Sequence, residues 1–144
     1  VWAAIEGLYR SGKTKMIGIS NVTAEQLTQL CAQAAVKPMV VQNRCYAALG
    51  WDKEVREVCR AHGIIYQGFS LLTANREVFA DPGIRAIAQR LGTGLAQIVF
   101  RFAMQVGMLP LTGTTNPQHM KDDLQAELLT LTAEDMQVIE TIGM

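Results

Sequence analysis

The sequence predicts an α/β protein built on about four parallel strands, each followed by a helix. Short apolar runs recur at residues 16–20, 39–42, 64–70 and 108–112. Stretches with helical spacing lie between them, and those stretches carry helix start and stop residues at their ends. Alternation of this kind implies parallel neighbours joined by right-handed crossovers. The runs read as near-continuously apolar, which is the pattern of strands buried on both faces.

The elements follow in order. "VWAAIEGLYRSG" puts Trp2, Ile5, Leu8 and Tyr9 on one helical face, with Gly12 as a stop. After the first strand, "TAEQ" fits a capping box, Thr23 accepting from a first-turn amide while Gln26 reaches back. Leu27, Leu30, Cys31 and Ala34 then form a stripe. "WDKEVREVCRAHG" faces inward through Val55, Val58 and Cys59 and stops at Gly63. His62, at that helix end, suits a charge-stabilising position near the last carbonyls. "DPGIRAIAQRLG" has Asp81 as N-cap, Pro82 at the first helical position and Gly92 past the end. "LAQIVFRFAMQVG" is apolar enough to be a buried helix. "NPQHMKDDLQ" opens on an Asn-Pro start, and "TAEDMQVIETI" is a last capped helix with Met136, Ile139 and Ile142 inward.

Composition bounds the rest. The chain has 144 residues, 49% hydrophobic and 18% charged, enough for one core, so a single domain over 1–144 is expected. Thirteen basic residues balance thirteen acidic ones without a basic block, which argues against a nucleic-acid or anionic-membrane partner. The most apolar stretch, "LAQIVF", is too short to span a bilayer. Cys31, Cys45 and Cys59 are odd in number and include no C-x-x-C pair. That argues against a disulfide frame or a metal site and for reduced thiols in the cytoplasm. The chain opens on Val1, inside a helical pattern, so the expectation is a processed start or a piece of something longer.

"GLYRSGKT" matches the phosphate-loop pattern at residues 7–14. That pattern needs a strand before it and a helix after it, so that loop amides face the phosphates. Here a helix precedes and a strand follows, and Gly12 with Lys13 read as a helix stop and a solvated turn.

Ligands of parallel α/β sheets bind at the C-terminal ends of the strands. Those ends are Ser20 with Asn21, Gln42, Phe69 with Ser70, and residues 112–115. Amide-bearing side chains, an aromatic, and a hydroxyl and glycine cluster suit a flat polar-edged ring and a phosphate. Asn21 and Gln42 fit a carboxamide, Phe69 a ring stack, and Ser70 a phosphate. Gly113, Thr114 and Thr115 precede a helix start, where amides and the dipole favour an anion. Each residue also fits a structural role: Ser-Asn as a turn and cap, Gln42 bonding loop backbone, Phe69 in the core. Their recurrence at the same strand end favours the ligand reading.

"GKTKMIGISNVTAEQL", "KPMVVQNRCYA", "REVCRAHGIIYQGFSLL", "GTGLAQIVFRFAMQVGMLPLTGTTNPQHMKDDL" and "LTAEDMQVIETI" resemble, in order, the C-terminal half of an aldo-keto reductase. The resemblance implies half of a (β/α)8 TIM barrel that binds NADP(H) or NAD(H) at its C-terminal rim. It implies that Ser20, Asn21 and Gln42 contact the carboxamide, that Phe69 stacks on the nicotinamide, and that Ser70 and Leu72 lie by the pyrophosphate. Gly113 and Thr114 fall where many members carry Lys-Ser for the ribose 2′-phosphate. His119 falls where Arg often sits, and Asp122 with Asp123 where Glu-Asn holds the adenine. Two cations are thereby lost, which puts selectivity for the 2′-phosphate in question.

The family's Asp, Tyr, Lys and His tetrad lies on the first four barrel strands, so the resemblance places no catalytic residue in this chain. Four strands of a closed barrel leave raw edges and an exposed inner face. The segment is therefore expected to pair with a missing N-terminal half or with its own copy. Two functions follow. One is the cofactor-binding part of a carbonyl-reducing oxidoreductase, with a small carbonyl substrate. The other is a non-catalytic half-barrel that self-associates, with or without nucleotide.

Overall fold

The structure is a computed structural model that describes residues 1–142, so the last two residues of the expected 1–144 domain lie outside the described residues. Four parallel strands form one sheet in the order β1 (Gly18–Ser20), β2 (Val40–Arg44), β3 (Ile65–Phe69), β4 (Met108–Pro110). Seven α-helices are α1 (Trp2–Arg10), α2 (Ala24–Gln33), α3 (Lys53–His62), α4 (Pro82–Leu91), α5 (Leu95–Gln105), α6 (Pro117–Gln125) and α7 (Ala133–Glu140), counted among the described residues. The chain divides into two compact units. Unit 1 is residues 1–43 with 53–67; unit 2 is residues 44–52 with everything from Gly68 on.

The helices start and stop where their end residues stand. The box at α2 is reciprocal: the Gln26 amide donates to Thr23 Oγ1 at 3.2 Å and the Thr23 amide to Gln26 Oε1 at 3.0 Å. Asp81 accepts the Gly83 amide at 2.7 Å to start α4, and Gly92 ends it in the left-handed region at φ 63°. Asn116 and Thr132 cap α6 and α7.

In unit 1, α2 and α3 pack together, and Leu27, Cys31, Val55 and Cys59 are buried, as are Ile17, Val41 and Tyr66. Burial pushes the Cys31 thiol pKa up, against a smaller opposing pull from Lys37, so this cysteine is a core group and not a nucleophile. At β1–β2, Gly18 pairs with Val40 and Ser20 with Gln42. A Cβ on Gly18 would stand 2.5 Å from the Val40 carbonyl oxygen, so this crossing requires glycine. In α1 the expected apolar face is rotated. Glu6 is buried and accepts the Val36 amide at 3.0 Å, while Trp2 Nε1 donates to the Val36 carbonyl at 2.9 Å. These two bonds to one residue set the helix orientation and leave Leu8 48% exposed.

In unit 2, α5 lies on β4, and α4 packs against α5 and α7. The core there is Trp51, Leu71, Ile84, Phe100, Phe102 and Ile139 with their neighbours. The helix expected from Trp51 begins instead at Lys53. Residues 47–52 form a kinked turn in which Gly50, Trp51 and Asp52 all have positive φ, at 65°, 55° and 57°.

The strands are not buried on both faces. In β2, Val41 and Asn43 are buried while Arg44 is exposed; in β3, Tyr66 is buried while Ile65 is 45% exposed. A chain that adds each strand beside the last through right-handed crossovers keeps returning its helices to the same face. The opposite face stays open, and in unit 1 it carries Gly18, Ser20, Gln42 and Gln67.

Asp135 ties α7 to α4. Arg90 Nη2 lies 2.6 Å from both carboxylate oxygens, and Oδ2 also accepts the Thr132 amide at 2.9 Å. Burial opposes the charge, but the Arg90 and Thr132 hydrogen bonds together outweigh it, and the carboxyl sits below the usual aspartate range. A lowered folded value means stability that is present above the unfolded pKa, about 4, and lost as pH falls through the folded one. Asp135→Asn is expected to cost about 1 kcal/mol at pH 7, kept small because Arg90 is half exposed. The gap should shrink at pH 3. Urea unfolding at both pH values checks this; an equal gap at both would reject it.

Candidate functional site

Unit 1 supplies the ends of β1 and β2. Ser20 Oγ donates to the Gln42 carbonyl at 2.7 Å, and the Asn21 amide donates to the same oxygen at 3.0 Å. Asn21 sits at φ 56°, a region Asn tolerates better than most residues. The next residue is held by a side chain from β2: Asn43 Oδ1 accepts the Val22 amide at 3.0 Å, and its Nδ2 donates to the Val22 carbonyl at 2.8 Å. Gln42 Nε2 donates to Gln67 Oε1 at 3.1 Å. Ser20, Gln42 and Gln67 share a shallow recess of about 250 Å³ with Gly18 and Val40. With its proton given to the Gln42 carbonyl, the Ser20 oxygen presents lone pairs outward. An amide-bearing ligand would find an acceptor there.

Unit 2 supplies the ends of β3 and β4. Phe69, half-buried, is followed by Ser70 at φ 58°. Phe69, Ser70, Leu72 and Gly113 line one open cleft of about 340 Å³, with Phe100 and Thr112 among the other walls. The structure thus brings four of the expected residues together. No atom stands within 4 Å of where a Gly113 Cβ would be, so that wall is open.

The loop into α6 is more occupied than expected. Thr114 Oγ1 accepts the Asn116 amide at 3.1 Å and Asn116 Oδ1 accepts the Gln118 amide at 2.9 Å. Two of the amides at this helix start are therefore already bonded. Asp123 Oδ2 accepts from Thr112 Oγ1 at 3.1 Å, and Asp122 Oδ1 accepts from Gln118 Nε2 at 2.8 Å. Thr114, Thr115, His119, Asp122 and Asp123 lie outside the Phe69 cleft. Thr115 and His119 are exposed, and Asp122 borders a separate groove with Thr93, Gln97 and Leu128.

Three side chains that shape these loops were not singled out from sequence: Asn43, Gln67 and Asn75. Gln67 interrupts an apolar run, which was a usable signal. Asn43 and Asn75 had none, because most of the backbone groups they bond are distant in sequence. The "GLYRSGKT" stretch runs from α1 toward β1, the reverse of a phosphate loop. Among the described residues, no group of three or more His, Cys, Asp or Glu could hold a metal ion, and no helix is long and apolar enough to cross a membrane.

The family model of the Aldo/keto reductase family matches residues 1–143. The chain belongs to the aldo/keto reductase family. It is 31% identical over 151 residues to aldo-keto reductase family 1 member A1 of Xenopus tropicalis, covering 99% of this chain and 46% of that protein. It is 33% identical over 148 residues to NADPH-dependent codeinone reductase 1-2 of Papaver somniferum, again covering 99% and 46%. Among solved structures, an aldo/keto reductase from Brucella melitensis superposes with a TM-score of 0.85 at 25% identity, over 96% of this chain and 52% of that one. An aldo-keto reductase from a Medee basin deep-sea metagenome library reaches 0.89 at 24% identity, over 99% and 54%, which speaks for the fold. This aldo/keto reductase chain spans about half the length of the relatives it matches, and its fold is that of half a (β/α)8 barrel.

Proposed function

We propose that this chain is the cofactor-binding portion of a nicotinamide-dependent carbonyl reductase. The observation that carries the reading is the unit 2 cleft, where a half-buried aromatic, Ser70 and the open wall at Gly113 stand together. The donor set fits the group: an aromatic face for a flat ring, hydroxyls and backbone for phosphate oxygens. When bound, a reduced nicotinamide supplies hydride to a carbonyl carbon.

The chain's own residues bind and orient. Phe69 would stack on the ring, Ser70 and Leu72 would lie by the pyrophosphate, and Gly113 with Thr114 would stand by the ribose 2′-phosphate. In unit 1, Ser20, Asn21 and Gln42 would offer a hydroxyl and two side-chain amides to a carboxamide. Thr115 would stand with Gly113 and Thr114 by an anion, and His119, Asp122 and Asp123 would serve the adenosine end. Gly113 and His119 stand where the resemblance expects cations, so discrimination between NADP(H) and NAD(H) is weak. The proton for the carbonyl oxygen comes from the complementary half of the barrel, and the substrate is a small aldehyde or ketone. The setting is the cytoplasm, where reduced nicotinamide cofactors and reduced thiols coexist.

Titration with NADPH, followed by its fluorescence, tests the reading. Phe69→Ala is expected to weaken binding about tenfold, through the lost stack. A wild-type chain that leaves NADPH emission unchanged would overturn the reading.

A second reading is favoured by exposed apolar strand residues, Ile65 at 45% in unit 1 and Leu109 at 48% in unit 2. Exposed apolar strand surface invites association. On this reading the chain is a non-catalytic half that pairs with a copy of itself. Oxidation of NADPH by the purified chain with a reactive aldehyde would count against it.

A further inference from the structure

We propose that Asn75 is the positioning residue of the loop after β3: its buried amide ties that loop to the segment after β2, so the two order and open as one piece. The assignment of the loop to a cofactor rests on the function proposed above; the tie itself is geometric.

The last backbone rung between the two segments is the Cys45 amide donating to the Phe69 carbonyl at 3.1 Å. Beyond it the chains separate, as Ser70 turns away at φ 58°. The loop then folds back on itself, the Ala74 amide donating to the Ser70 carbonyl at 2.9 Å and the Asn75 amide to the Leu72 carbonyl at 3.3 Å. That turn delivers the Asn75 side chain, 0% exposed, between the separated segments. Its Nδ2 donates to the Cys45 carbonyl at 2.9 Å and to the Leu71 carbonyl at 2.8 Å, and its Oδ1 accepts the Ala47 amide at 2.6 Å.

A side-chain amide carries the donor and acceptor of a peptide group, so Asn75 continues the ladder where backbone pairing has ended. No other side chain of this size does so. Leucine bonds nothing, and aspartate has no donor for the two carbonyls. Leu71 and Cys45, whose carbonyls Asn75 bonds, also stand near Gly68: a Cβ there would meet the Leu71 side chain at 3.4 Å and the Cys45 Cβ at 3.6 Å. The loop carries Ser70 and Leu72, and the tied segment leads to Tyr46 and the Trp51 turn. One buried side chain therefore holds the cleft loop to that segment.

Native-state hydrogen exchange on the wild-type chain, at rising sub-denaturing urea, tests the tie without a variant. The amides of Ala47, Ala74 and Asn75 are expected to share one opening free energy and one urea dependence. Opening of Ala47 independently of Ala74 would overturn the proposal. The positioning role is tested by NADPH titration below the melting transitions of Asn75→Leu and of Ile84→Val, a core control. Asn75→Leu should bind about tenfold more weakly and Ile84→Val as the wild type, because only the first loses a preorganised loop. Equal losses in both variants, or none in Asn75→Leu, would overturn it. If the wild type binds no NADPH, the cofactor reading falls, and the exchange pattern still decides the tie.

Discussion

Trp51→Ala is expected to destabilise the protein by about 4 kcal/mol, the largest effect of any single truncation considered. Trp51 is 0% exposed and stands in the unit 2 core. Its ring lies 5.1 Å from Phe102, tilted by 53°, a favourable arrangement for an aromatic pair. Its Nε1 donates to the Ile139 carbonyl at 2.9 Å, in the last turn of α7. Alanine leaves a large cavity, removes the aromatic contact and takes the indole donor from a carbonyl that then keeps only the Ile142 amide at 3.3 Å. It also keeps the unfavourable φ of 55° while losing the buried indole contacts that offset it. Urea unfolding followed by circular dichroism measures the loss. A midpoint within error of the wild type would mean that Trp51 does not anchor this turn. Trp51→Phe should recover part of the deficit, restoring apolar volume but not the bond to Ile139.

Asn43→Leu is the second, at about 2–4 kcal/mol. The leucine is nearly isosteric, so little cavity term enters. What is lost is the pairing of the Val22 amide and carbonyl, bonded to Asn43 at 3.0 and 2.8 Å. An unpaired, partly buried backbone group costs about 1–3 kcal/mol, and here there are two. The loss also frees the turn that holds Asn21 at φ 56°. Hydrogen exchange should therefore show faster exchange at Val22 and Thr23, beyond what the global destabilisation explains. Asn43→Leu with unchanged midpoint and unchanged Val22 exchange would show that the turn is held by its own backbone.

The candidate site divides along the same physical line. Ser20, Gln42, Phe69 and Ser70 could be found because strand ends can be read from apolar runs and because ligands gather there. Asn43 and Asn75 could not. Each is an ordinary polar residue in sequence, and its role exists only because folding brings distant backbone groups within 3 Å. The loop before α6 shows the converse. Residues 113–115 suggest a bare anion cradle, but Thr114 and Asn116 take two of its amides themselves.

What the sequence determined by itself was local and periodic. Alternating runs set the α/β class. Thr23 with Gln26, Asp81 with Pro82 and Gly92, and Asn116 with Pro117 set helix ends, because capping bonds span only a few residues. Only the tertiary structure decided which faces were covered. Apolar runs predicted strands buried on both sides, yet Arg44 in β2 and Ile65 in β3 are exposed, since which side is covered depends on elements distant in the chain. Glu6 turned inward and Leu8 outward because Val36, thirty positions away from Glu6, offered a better partner than the apolar stripe. Trp51 took a left-handed backbone because core burial outweighed local strain. In each case the deciding free energy came from contacts between residues far apart in the chain, which no short window contains.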